Sequence, residues 1–144
     1  MKILIDTNIV LDYLLDRMPF SKAAEWIFSQ TEYGQFDTFI GGTTVTTVHY
    51  LITKALGAKM SYSYIEKLLR LFQIAPITHT VLASALDLKF PDFEDAVLHE
   101  AAIHVGAEAI ITRDMKGFHR AKIPVYSSDE FVSAFTSILE KEKV

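Results

Sequence analysis

Two short apolar runs in this chain each end in a polar stretch that carries an aspartate. Near the start, Lys2-Ile3-Leu4-Ile5 leads into Asp6-Thr7-Asn8; far downstream, Ala109-Ile110-Ile111 leads into Thr112-Arg113-Asp114. A third acid, Asp95, closes the stretch Asp92-Phe93-Glu94-Asp95 just ahead of the second run. Both runs are short and rich in branched side chains, so both are predicted to be buried strands. In open α/β sheets, ligands bind outside the carboxyl ends of the strands. Two carboxylates at two such ends point into one cleft, where a divalent cation would offset their repulsion. The chemistry this predicts is metal-assisted, with Asp6, Asp95 and Asp114 as its acids.

Each acid also has a structural reading. Asp6 could cap the helix that follows it, with Asn8 sharing that task. A second acid two positions after a strand-end aspartate would suggest a phosphotransfer nucleophile and its general acid. Asn8 cannot protonate a leaving group, which weakens a phosphatase-like reading. Asp92 follows Pro91 and is placed to cap a helix, with Asp95 at the reciprocal position of a capping box. That first turn also favours an ionised carboxylate. Asp114 could be a turn residue with Arg113 as its surface partner, and Thr112 adds a hydroxyl at the same strand end.

Other polar groups are less pointed. The chain has five histidines and no cysteine, which argues against a structural zinc site. His99 lies four residues after Asp95, a spacing that suits a hydrogen bond from behind that carboxylate or simply an exposed helix position. Arg113, Lys116, His119, Arg120 and Lys122 form the densest basic stretch. A solvated loop explains it, and so does contact with nucleic-acid phosphates beside the acids, chiefly through Arg113 and Lys116.

The elements that must position these residues follow from periodicity and punctuation. Helices are predicted over 8–16, 21–30, 62–72, 80–88, 93–105 and 129–140, and strands over 36–40, 74–77 and 124–127 beside the two acid-bearing runs. Residues 43–56 start β-branched and then take helical spacing, with Gly57 as a stop. Pro76 keeps its strand short or peripheral. Alternating strands and helices imply a mostly parallel sheet of about five strands covered on both faces. Apolar side chains on the early helices, among them Leu11, Leu14, Trp26, Ile27 and Phe28, and on the helix with Tyr62, Ile65 and Leu69, exceed what one small domain easily buries, which predicts self-association.

With 144 residues, half of them apolar, the chain is expected to be a single globular domain over 1–144. No run reaches membrane-spanning length and no leader-like segment is seen, so a cytoplasmic protein is expected. A net charge of −4 argues against a strong nonspecific nucleic-acid binder, though not against an enzyme that meets nucleic acid transiently.

Asp6-Thr7-Asn8, Asp92-Phe93-Glu94-Asp95-Ala96 and Thr112-Arg113-Asp114, in this order and spacing, resemble the PIN-domain family across essentially the whole chain. Phe118, Ile123-Pro124-Val125 and Glu130-Phe131 resemble that family's ending. The resemblance implies a three-layer PIN-like α/β fold and a Mg²⁺- or Mn²⁺-dependent ribonuclease, the toxin of a toxin–antitoxin pair that forms a homodimer and is captured by an antitoxin protein. It implies metal-binding roles for Asp6, Asp95 and Asp114, and site-shaping roles for Asn8 and Thr112. The family's glutamate on the helix after the second strand has no counterpart here, since Thr43–Ile52 contains no acid. The nearest correspondence puts His49 there, with Asp92 or Glu94 as compensating acids. A PIN scaffold that binds RNA or a protein without cleaving is the alternative.

Overall fold

A computed structural model describes residues 1–142. Five parallel strands form the sheet: β1 (Lys2–Ile5), β2 (Asp37–Gly41), β3 (Gln73–Ala75), β4 (Ala109–Ile111) and β5 (Val125–Tyr126). Seven helices cover it: α1 (Thr7–Leu14), α2 (Ser21–Glu32), α3 (Gly42–Leu56), α4 (Ala58–Leu71), α5 (His79–Leu88), α6 (Phe93–His104) and α7 (Ser128–Glu142). The strand order is β3-β2-β1-β4-β5, so the expected mostly parallel, three-layer fold is what forms.

The strands' period of two sorts the core into two layers. Ile3 and Ile5 face one side with Ile40, Ala109 and Ile111, and meet Ile9 of α1, Ile27 and Phe28 of α2, Val48 and Ile52 of α3, Leu68 of α4 and Phe131 of α7. Leu4 faces the other side with Phe39 and Ile110, and meets Val81 and Ala85 of α5 and Ala96 to Ala102 of α6. Buried on both faces, these strands read as unbroken apolar runs rather than alternating ones. Pro76 ends β3 after three residues, and β3 is an edge strand, as its proline requires.

The stretch 42–56 is helical throughout, and its four-residue spacing buries Thr44, Val48 and Ile52 on one face. Gly57, with φ 91°, caps α3 and opens α4, a backbone that a side chain would strain. Much of the surplus apolar surface expected on the early helices is consumed by the monomer. Leu11, Leu14, Ile27 and Phe28 are core, whereas Tyr62 and Leu69 of α4 remain exposed. Among the described residues no helix is long and apolar enough to cross a membrane.

Topology fixes where a site can form. From β1 the chain moves to β2 and β3 on one side, then crosses to β4 on the other. The β1/β4 boundary is therefore the switch point, where the connections diverge and leave a crevice at the strand ends.

Candidate active site

Asp6 stands at the carboxyl end of β1, and its backbone N–H donates to Ile111 O at 2.9 Å, carrying the β1–β4 ladder one residue further. That places Asp6 beside Thr112, whose hydroxyl donates to Asp6 Oδ2 at 2.8 Å. Asp6 Oδ1 accepts from the Thr7 amide at 2.7 Å, so the carboxylate also serves as the N-cap of α1. The structural and the functional readings of Asp6 are thus compatible.

Thr112 is fully buried and works in both directions: its oxygen also accepts from the Asp114 amide at 2.9 Å. Asp114 then turns back, and its Oδ1 accepts from the Gly117 amide at 3.0 Å. Asp92 caps α6 by accepting from the Asp95 amide at 3.2 Å, as the capping pattern predicts. That cap sets the start of α6, and with it the place of Asp95 in the first turn.

These elements enclose a cleft of about 240 Å³ lined by Asp6, Thr7, Asn8, Leu11, Thr47, Leu51, Asp92, Glu94, Asp95 and Asp114. Five of these ten are acids and none is a cation. The electrostatic consequence is clear in Asp95, whose carboxyl is pushed up to about 7, first by burial and then by Asp6, Asp92, Asp114 and Glu94. Burial also raises Asp6, against the lowering hydrogen bonds from Thr112 and Thr7, and Asp114 and Asp92 add to the rise.

Gly117 explains how two of the acids come so close. A Cβ on this residue would lie 2.5 Å from Asp114 Oδ2 and 2.6 Å from Asp95 Oδ2. Both oxygens therefore crowd one point that only a glycine leaves open. Among the described residues, no three acidic or imidazole groups already close around a single point at ligand distance. The donor set is nevertheless carboxylate oxygen without competing cations, which is the set a hard divalent ion takes. The residues present fit such an ion.

Of the residues singled out in the sequence, Asp6, Asn8, Asp92, Asp95 and Asp114 meet at the cleft, with Thr112 directly behind Asp6. Lys116 is exposed on the turn after Asp114. Two expectations, for His49 and His99, are corrected. His49 does not reach the cleft: its ring packs 5.1 Å from that of Tyr62, and its carbonyl accepts from Ser61 Oγ on α4. The α3 side chains that line the cleft are Thr47 and Leu51. Arg113 does not line the cleft: its Nε lies 2.9 Å from Asp12 Oδ2, and its guanidinium lies over the Phe20 ring at 4.0 Å.

His99 neither supports Asp95 nor reaches solvent. It is wholly buried, its Nε2 accepts from the Lys122 amide at 3.0 Å, and its Nδ1 lies 3.3 Å from Glu100 Oε1. Burial holds the imidazole below its ordinary value, with Glu100 pulling the other way. The sequence reading missed Gly117, which carried no signal beyond being a glycine near an acid. It also missed Asp12, whose one signal was a charge inside an otherwise apolar helix.

Residues 2–116 match the PIN domain, and the chain belongs to the PIN-domain family. Among individual proteins, it is 24% identical over 142 residues to Ribonuclease VapC1 of Aquifex aeolicus (strain VF5), covering 95% of this chain and 97% of that protein. Its fold is similar to that of VapBC-1 from nontypeable Haemophilus influenzae, with a TM-score of 0.68, 18% identity and coverage of 90% of this chain and 99% of that one. A toxin–antitoxin complex from Klebsiella pneumoniae gives a TM-score of 0.65 at 22% identity, covering 87% and 96%.

Proposed function

We propose that this protein is a metal-dependent endoribonuclease that hydrolyses RNA phosphodiester bonds, and the toxin half of a toxin–antitoxin pair. The observation that carries the proposal is the cleft at the β1/β4 rim, where acids gather with no cation to balance them. Similarity along nearly its whole length to a protein named a ribonuclease supports the reaction, and the likeness to a toxin–antitoxin complex supports the partner.

Asp6, Asp95 and Asp114 would hold Mg²⁺ or Mn²⁺. When bound, such an ion lowers the pKa of a water and offsets the charge of the scissile phosphodiester. The chain's own contribution is orientation. Thr112 fixes Asp6 by donating to Oδ2, and the Asp92 cap fixes the first turn that bears Asp95. The Gly117 amide occupies Asp114 Oδ1 and leaves Oδ2 on the side of Asp95. Asn8 offers a neutral amide at the cleft, and Lys116 is placed on the neighbouring turn to meet a flanking phosphate. The protein acts in the cytoplasm as a homodimer, with exposed Tyr62 and Leu69 of α4 in the interaction surface, and is captured there by an antitoxin protein. Light scattering across a dilution series tests the dimer, and a strict monomer at high micromolar concentration refutes it.

A second reading is a PIN scaffold that binds RNA or a protein without cleaving. Thr47 and Leu51 favour it, because the α3 wall of the cleft supplies no acid. Cleavage of single-stranded RNA that requires Mn²⁺ or Mg²⁺ and disappears in a folded Asp6→Asn variant supports the enzyme. Binding of RNA with no cleavage at any divalent-ion concentration supports the scaffold.

A further inference from the structure

Asp12 is a carboxylate with no exposed surface, on α1 below the cleft and outside its lining. Two arginines converge on it: Arg113 Nε at 2.9 Å from Oδ2, and Arg17 Nη1 at 3.9 Å from Oδ1. Burying an ion pair gives up solvation that the mutual attraction barely returns, so a buried pair is poor evidence of stabilisation alone. Its position suggests another role. Arg113 lies between Thr112, which holds Asp6, and Asp114, which lines the cleft. The outer face of its guanidinium is covered by Phe20, so the side chain is gripped from two directions.

We propose that the Asp12–Arg113 pair is a clamp that positions Asp114 by pinning the segment 112–114 to α1, and that Arg113 is committed to this clamp rather than to RNA. Every residue of the segment is then anchored: Thr112 to Asp6, Arg113 to Asp12, and Asp114 to Thr112 and Gly117. The β4–β5 ladder ends at Thr112, whose amide donates to Tyr126 O at 2.9 Å, so Asp114 lies two residues beyond the last ladder bond, and the clamp gives it the fixity that β1 gives Asp6. The role in catalysis rests on the ribonuclease reading; the mechanical role does not.

Two variants separate position from charge. Arg113→Lys keeps both charges but replaces the flat guanidinium with a point cation that cannot cover Phe20 in the same way. Asp12→Asn with Arg113→Met removes both charges together, which leaves the net charge unchanged and avoids stranding one buried ion. The first measurement is amide hydrogen exchange by NMR on the metal-free protein, read at Asp114 and Gly117. Exchange at both should quicken about tenfold or more, while amides of β1 and β4 keep their protection.

The second measurement is steady-state cleavage of single-stranded RNA, where kcat should fall by about tenfold to a hundredfold with KM within about twofold. Wild-type exchange rates at Asp114 and Gly117 in the variants overturn the clamp, whatever the activity. Faster exchange with unchanged kcat overturns its role in catalysis. A raised KM with unchanged kcat shows Arg113 contacting RNA and overturns its commitment to the clamp. A wild type that cleaves no RNA refutes the ribonuclease reading, and the exchange data then decide the clamp by themselves. Should the double variant fail to fold, Arg113→Lys carries the same comparisons.

Discussion

The crowding of acids makes a prediction about pH that runs against ordinary protein behaviour. Asp95 ionises near 7 in the metal-free fold and near its ordinary 3.8 when unfolded. A raised folded-state value means that the folded protein binds the proton more tightly, so stability is present at low pH and lost as pH rises from about 4 to about 7. Each pH unit between the two values is worth about 1.4 kcal/mol, which sets a ceiling of about 4 kcal/mol for Asp95. Solvent reaches this cleft, and screening cuts such figures several-fold, so about 1 kcal/mol between pH 5 and pH 8 is the realistic loss. For a chain of this length that is about 3 °C in melting temperature. The assay is a set of thermal melts in a chelator, from pH 5 to pH 8, on wild type and Asp95→Asn. The wild type should melt lower at pH 8 than at pH 5, and the variant should show a flatter profile. Mn²⁺ at about a hundred times its dissociation constant should add about 2.7 kcal/mol at pH 8 by mass action, more than offsetting that loss. Parallel pH profiles in the two proteins would refute the argument that Asp95 carries the site's repulsion.

Other outcomes follow from the same geometry. Thr47→Glu should tighten Mg²⁺ binding about tenfold by calorimetry, because it adds an anionic oxygen at the cleft wall, whereas His49→Glu, on the α4-facing side, should leave affinity within about twofold. Gly117→Ala should weaken Mn²⁺ binding by at least about tenfold, since its methyl must push Asp114 and Asp95 apart, and wild-type affinity in a folded variant would show that the loop yields. Phe131→Ala should cost about 3–5 kcal/mol in urea unfolding, because a fully buried ring at the seam of α7, Trp26 and Phe36 leaves a cavity that the sheet cannot close.

The acids at the strand ends were legible because one rule, buried run followed by carboxylate, placed Asp6 and Asp114 at one rim. Capping chemistry did the same for Asp92 and Asp95. The α3 wall was not legible. In a threonine-rich helix with no acid, nothing fixes the rotation by which Thr47 faces the cleft and His49 faces Tyr62. His99 was misread because α6 is buried from Ala96 through Ala102, so it has no exposed face against which four-residue spacing gains meaning. The contact of Arg113 with Asp12 went unread because the two lie far apart in sequence. An ion pair of that kind has no local pattern, and only the β1–β4 pairing brings its halves together.

That pairing also sets a timetable. Asp6 is made among the first residues of the chain, but the hydroxyl that holds it belongs to Thr112, and the strand that carries Thr112 is inserted beside β1 only after α5 and α6 have been made. During synthesis, β1 can pair with β2 long before β4 has left the ribosome. Until then Asp6 has no companion at the rim, and the cleft does not exist. The carboxylates of the rim therefore come together late, after α6 and β4 have been made, and whatever chemistry the cleft performs waits until most of the chain is free to fold.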